Sequence, residues 1–229
     1  MFPIGDDDQG SGRGPAIVTI ALIVLNVLVF MLELGQGSEA SLQSFITAWG
    51  VVPREYSVGR DLPPLIPFPF WATLITSMFL HGGWMHLGGN MLYLWIFGDN
   101  IEDRIGHAKF LIFYLVCGLA ASVAHIMFAT DSVIPSLGAS GAIAGVLGAY
   151  LVLFPKRSVK VLAARQVVNM PAFMVLGMWI LLQVFAQISV VGGAGGGDAY
   201  MAHIGGFLAG LALIFLFGKR TPTMDHVPR

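Results

Sequence analysis

Long apolar runs, each closed by a charge or a glycine-rich break, dominate the chain. Six can be drawn, over residues 16–34, 86–101, 110–129, 140–154, 171–191 and 203–218. Several approach the ~20 residues needed to cross a hydrocarbon core ~30 Å thick. The second, fourth and sixth are shorter. The pattern predicts an all-α membrane protein, a bundle of six transmembrane helices forming one domain over 16–218. A flexible N-terminal tail, 1–15, and a C-terminal tail, 219–229, are expected to flank it. Between the first two runs, residues 35–70 contain PREYSVGRDLPPLIPFPF, rich in proline and aromatics. Together with Trp49, Trp71 and Trp84, this segment suits a structure lying in the membrane interface, where amphipathic rings are favoured. The connections at 130–139 and 192–202 are short, and the second is glycine-rich.

Composition agrees with a membrane protein. Of the 229 residues, 56% are hydrophobic and 11% charged, with a mean hydropathy of +0.78, far more apolar than a soluble domain. The net charge of −1 and the lack of a basic, aromatic-studded stripe exclude nucleic acid as the main ligand. The single cysteine, Cys117, lies in an apolar run, so neither an internal disulfide nor a cysteine zinc framework is expected. The first run follows an acidic start and is too long for a signal-peptide core, so it reads as a retained span. Orientation follows from the cations. With the N-terminus inside, ten Lys and Arg fall on inner segments, and only Arg54 and Arg60 fall outside. Both termini are therefore expected in the cytoplasm, in a multi-pass protein of a bacterial plasma membrane.

Polar groups inside a bilayer are costly and mark functional candidates. His86 and Asn90, four apart in HGGWMHLGGN, share a helix face. Ser140 opens the fourth run and His203 the sixth. Each of Ser140, His203 and His86 precedes the charge closing its run (Lys156, Lys219, Glu102) by 16 residues. At 1.5 Å per residue, all three lie ~24 Å above the inner boundary, in one layer just below the outer face.

That layer holds the parts of an acyl-transfer site. A serine hydroxyl needs a base to take its proton, and His203 is the candidate. Gly141 and Gly145 in the fourth run, and Gly206 and Gly210 in the sixth, extended by Ala202, are spaced to let two helix backbones approach closely. The backbone N–H of Ser140, at a helix N-terminus, and the side chains of His86 and Asn90 can donate to an oxyanion. No carboxylate shares the layer. Asp198, the nearest in sequence to His203, falls in the glycine-rich connection, so a Ser–His dyad is expected rather than a triad. Ser140 sits in Gly-Ala-Ser-Gly-Ala, which is not the GxSxG elbow of α/β-hydrolases.

GASG around Ser140, the His86-x-x-x-Asn90 pair and AHIGGFLAG around His203, in this order over six spans, resemble the rhomboid intramembrane serine proteases. The resemblance covers residues 16 to 218. It implies Ser140 as nucleophile, His203 as general base and then acid, and His86 and Asn90 as oxyanion donors. It further implies cleavage of membrane-anchored substrates near the outer face, with no metal or cofactor. Glu102-Asp103-Arg104 matches the family's E-x-R, implied to be structural. Two positions depart from the family pattern. Its frequent Trp-Arg pair is Trp71-Ala72 here, and the aromatic many members carry four residues after the serine is Ala144, which leaves open what orients His203.

Taken singly, these residues have plainer readings. A lone serine at a glycine-rich helix start more often caps or packs. His81 and His86, five apart, do not share a helix face for a metal, and His81 reads as an interfacial or hydrogen-bonding residue. Asn26 and His125 read as satisfied core groups. Gln183 and Gln187 read as helix-to-helix hydrogen bonds or, less readily, substrate contacts. KRSVK reads as a solvated inner loop. Two other functions compete: a non-catalytic binder of other spans, which would need neither Ser140 nor His203, and a small transporter, for which no intramembrane charge pair or inverted repeat is visible.

Overall fold

The computed structural model describes residues 2–7, 14–164, 166–191 and 198–217. A strand, β1 (Phe2–Asp6), precedes the long apolar helix α1 (Ile17–Leu34). Then come α2 (Glu39–Trp49), α3 (Pro53–Val58) and the short α4 (Thr73–Thr76), which is flanked by 3-10 turns. Helices α5 (Trp84–Ile105), α6 (His107–Phe128) and α7 (Ser140–Leu153) follow, then a hairpin of β2 (Ser158–Ala163) and β3 (Gln166–Pro171), and finally α8 (Ala172–Val191) and α9 (Asp198–Leu213). Each of the six apolar runs is a helix. By length and hydropathy alone, α1 and α6 are the two among the described residues that suffice to cross a membrane.

Helices α6, α7 and α9 form the centre. Ten consecutive residues of α7, Gly141 to Tyr150, are buried, so this helix is apolar all round because it is enclosed all round. Small residues make the enclosure close. A Cβ on Gly145 would lie 2.4 Å from Cβ of Cys117 on α6, and one on Gly210 would lie 1.9 Å from the Gly145 carbonyl oxygen. Cys117 is a fully buried core residue. By contrast α1 and α8 turn apolar side chains outward, among them Leu28, Leu32, Leu182 and Phe185, each more than half exposed.

The N-terminal segment departs from the expected flexible tail, and the fold is not wholly α. β1 pairs antiparallel with β2, which pairs with β3, giving a three-stranded sheet at one end of the bundle. The KRSVK segment is half strand: Val159 and Val161 are fully buried against the bundle while Lys160 between them points out. That is the period-2 alternation of a one-sided sheet. Asp6 holds β1 in place, its carboxylate accepting from Tyr150 Oη (2.6 Å) and Asn100 Nδ2 (3.2 Å), with Arg157 3.6 Å away.

Glu102 ties α1 to α5. Helix α1 has no side-chain cap of its own. Glu102, 1% exposed, supplies one from α5, accepting from the backbone N–H of Val18 (2.8 Å) and Thr19 (2.7 Å), from the Thr19 hydroxyl, and from His107. A carboxylate at a helix N-terminus satisfies orphan amides and complements the dipole. Glu102→Ala leaves these donors buried and unpaired, and is expected to cost about 3 kcal/mol. Thermal unfolding in detergent measures this, and an unshifted midpoint would mean the cap is dispensable.

Candidate active site

At the end of the bundle opposite the sheet, the loop before α7 is fixed from several sides. Val51 and Ser136 exchange backbone hydrogen bonds (2.9 and 2.8 Å), and the Gly138 N–H donates to the Ser77 carbonyl (2.8 Å). Gly138 has φ +120°, a conformation that favours glycine. A Cβ there would lie 2.9 Å from His86 Nε2 and 3.6 Å from Ser140 Oγ. The chain therefore turns into α7 with Ser140 at its first position and the imidazole of His86 alongside.

Ser140 and His203 meet: Nε2 of His203 is 2.8 Å from Ser140 Oγ, a hydrogen bond across 63 residues of sequence. The close α7–α9 seam makes this possible, because Gly141 faces Gly206 and Gly145 faces Gly210 with no side chain between. Helix α9 begins at Asp198, five residues before His203, so His203 lies in the second turn rather than opening the helix. Asp198 starts this helix instead of lying in the connection; most of that connection, 192–197, is outside the described residues.

His86 and Asn90 line the same cavity of about 250 Å³ as Ser140 and His203, with Tyr93, Trp179 and Gln183 also on its walls. His86 Nδ1 accepts from the Gly82 N–H (3.3 Å). In the neutral ring this leaves the proton on Nε2, the nitrogen beside Gly138 and Ser140. Asn90, 8% exposed, is positioned by residues whose linkage the sequence did not reveal. Its Nδ2 lies 3.0 Å from His81 Nε2, while His81 Nδ1 faces the Phe79 carbonyl (3.3 Å) and its backbone N–H donates to the Glu33 carboxylate (3.0 and 3.2 Å). His81 is 1% exposed, hence a buried hydrogen-bonding residue rather than an interfacial one. Its ring stacks edge-on against His86 at 5.1 Å, and no group of three His, Cys, Asp or Glu placed to hold a metal occurs among the described residues.

Two residues of α8 complete the surroundings of His203. Gln183 Oε1 is 2.8 Å from Nδ1, and the Trp179 ring lies 5.8 Å from the imidazole, tilted by 42°. Gln183 does join two helices, as its sequence context suggested, and its partner is His203. Trp179 and Gln183 lie one turn apart, which puts both on the same face. The sequence signal for Trp179 was that spacing alone. A second cavity, of about 30 Å³, reaches Ser140 from the α6 side, between Met78, Gly118, Ala121 and Gly138.

Chemically, a serine hydroxyl bonded to an imidazole, at a helix N-terminus and beside further N–H donors, is the arrangement of a nucleophile with its base. Residues 69–220 match the family model for the Rhomboid domain, and the chain belongs to the rhomboid family. It is accordingly an integral membrane protein. It is 34% identical to "Rhomboid protease GluP" of Bacillus subtilis over 61% of this chain and 25% of that protein. It is 29% identical to "Rhomboid protein 1, mitochondrial" of Saccharomyces cerevisiae over 86% and 52%, and 28% identical to "Rhomboid-like protein 11, chloroplastic" of Arabidopsis thaliana over 66% and 54%. The chain thus spans from a quarter to about half of the length of these relatives.

Proposed function

We propose that this chain is a serine endopeptidase that cleaves transmembrane segments of other membrane proteins, with Ser140 as nucleophile and His203 as base. The contact of His203 Nε2 with Ser140 Oγ at 2.8 Å carries this reading. His203 takes the hydroxyl proton as Oγ attacks the scissile carbonyl carbon. The oxyanion that forms is met by the Ser140 N–H, His86 Nε2–H and the Asn90 amide. His203 then protonates the departing amine, and water, deprotonated by the same nitrogen, releases the acyl group from Ser140. No step calls for a metal or cofactor.

Topology follows the same reading: six spans, with both termini on the cytoplasmic side. The described chain ends support it. β1 lies at the sheet end of the bundle, and Lys109 Nζ at the start of α6 donates to the Phe217 carbonyl beyond α9. Arg104, Lys109, Lys156 and Arg157 gather there, and Arg54, paired with Asp131, lies at the other end. The site then opens toward the extracytoplasmic side, as in a bacterial plasma-membrane protease. A peptide bond within a stable helix is shielded, so substrates with helix-breaking residues near that face are preferred.

A fluorophosphonate probe tests the assignment. Folded protein in detergent is expected to be labelled once, at Ser140, as read by peptide mapping. A folded protein that takes no label, or takes it equally well as Ser140→Ala, would contradict the reading and favour a non-catalytic binder of spans.

A further inference from the structure

We propose that Gln183 is the positioning residue of the Ser140–His203 pair: its amide oxygen holds the proton on Nδ1 of His203 and so leaves Nε2 free to act as base. This rests on the serine-protease reading. A neutral imidazole carries one N–H, and whichever nitrogen bears it determines whether the ring can take a proton from serine. The bond to Ser140 does not settle the matter, because a hydroxyl donates or accepts equally well. An acceptor at Nδ1 does. Gln183 Oε1 stands 2.8 Å from that nitrogen, and Nε2 stands 2.8 Å from Ser140 Oγ, so both ring nitrogens are held.

The choice of an amide has a physical consequence. Among the described residues lining the cavity there is no carboxylate, and the titratable neighbours of His203 are His86 and Tyr93 on α5. A buried carboxylate would itself need desolvating, whereas an amide orients the ring without adding a charge. When Nε2 gains the serine proton the ring becomes cationic, and the Nδ1–H bond to Gln183 becomes charge-assisted and stronger. That gain occurs in the transition state and not in the resting enzyme, which is the kind of interaction that raises kcat. Trp179, one turn earlier on α8, flanks the ring and limits its rotation. Its neighbour across α9 is Phe207, 6.1 Å away. Leu181, Leu182 and Phe185 of α8 turn outward, each more than half exposed, whereas Gln183 continues the inward face of this helix that carries Trp179 and the buried Leu176. Ala144, four residues after the serine, has no ring to offer, and the orienting function passes to α8.

The test compares Gln183→Leu, which keeps bulk and loses the acceptor, with Gln183→Glu, which keeps the acceptor and adds charge. Both are made in the full chain and assayed on a single-span model substrate in detergent. Gln183→Leu is expected to lower kcat on the order of 100-fold with KM little changed, and to slow fluorophosphonate labelling in proportion. Gln183→Glu should retain turnover within about tenfold, with the acid limb of its pH–rate profile moved to higher pH, since a carboxylate favours the protonated ring. Nitrogen-15 NMR of His203 reads the tautomer without turnover: Nδ1–H in the wild type, a mixture in Gln183→Leu. An unaltered tautomer in Gln183→Leu, wild-type kcat in that variant, or equal loss of turnover in both variants overturns the proposal. A wild-type protein that neither cleaves nor is labelled sinks the protease reading instead, and the tautomer measurement still judges Gln183.

Discussion

Replacing Ser140 by alanine is expected to lower kcat for a single-span substrate by about 10,000-fold or more. The expectation follows from the role of one oxygen atom. Oγ is the group 2.8 Å from the His203 base and at the first position of α7, where the free amides of the helix start can receive the oxyanion. Among the described residues, the nearby serines Ser77, Ser122 and Ser136 line the small cavity and not the one that holds His203. His203→Ala is expected to be nearly as damaging, and the double variant little worse than either single one, because nucleophile and base act as a unit. Asn90→Ala should leave more activity, a loss of about 100-fold, since it removes one oxyanion donor of three. Initial rates by gel or fluorescence cleavage assay check all four variants. If Ser140→Ala cleaves as well as wild type, the nucleophile is elsewhere.

The second large effect is expected at a residue that touches no substrate. Gly210→Ala should destabilise the bundle by about 3 kcal/mol and lower turnover about 100-fold. A Cβ at this position would sit 1.9 Å from the carbonyl oxygen of Gly145, and real contacts of this kind are more than an ångström longer. Backbone cannot retreat as a flexible side chain can, so α9 must move away from α7. His203 lies two turns up the same helix, and such a shift lengthens its 2.8 Å contact with Ser140. Gly177→Ala on α8 is the matched control. Nothing lies within 4 Å of a Cβ there, and the change should be neutral or slightly stabilising, as alanine favours helix over glycine. Thermal unfolding and kcat are measured on both. A Gly210→Ala protein as stable and active as Gly177→Ala would show that the close approach does not hold the site together.

The contrast between these glycines marks how far the chain could be read unaided. The GxxxG spacing in 141–145 and 206–210 pointed to a close helix pair, and the structure joins those edges with α6 through Ala121 and Cys117 as the third wall. Spacing cannot say which helix a small residue faces, so the contribution of α6 was invisible. The same limit hid Gln183. Its separation of four from Gln187 was legible, whereas its partner at His203 lies across a connection whose length sets no geometry. Asn90 was identified as a candidate from its helix face, and the Glu33–His81 chain that orients it spans 48 residues at its longest step. The N-terminal strand was missed for a different reason. A five-residue strand has no hydrophobic period long enough to see, and β1 is stable only because β2 offers it an edge and Asp6 finds Tyr150 and Asn100.

What the amino-acid sequence by itself determined is therefore everything with local physical cause: six apolar helices, small-residue seams on two of them, one serine and two histidines counted to a common depth, and an asparagine on the same helix face as one of those histidines. Periodicity, charge and the fixed rise of a helix suffice for these, since each depends on neighbours within a few turns. The tertiary structure alone decided which helix faces meet: that His203 points Nε2 at Ser140 and Nδ1 at Gln183, that Glu102 caps a helix 83 residues earlier, and that the first strand closes a sheet under the bundle. Those pairings are choices among many chain conformations with the same local pattern, and packing energy summed over the whole fold selects one of them.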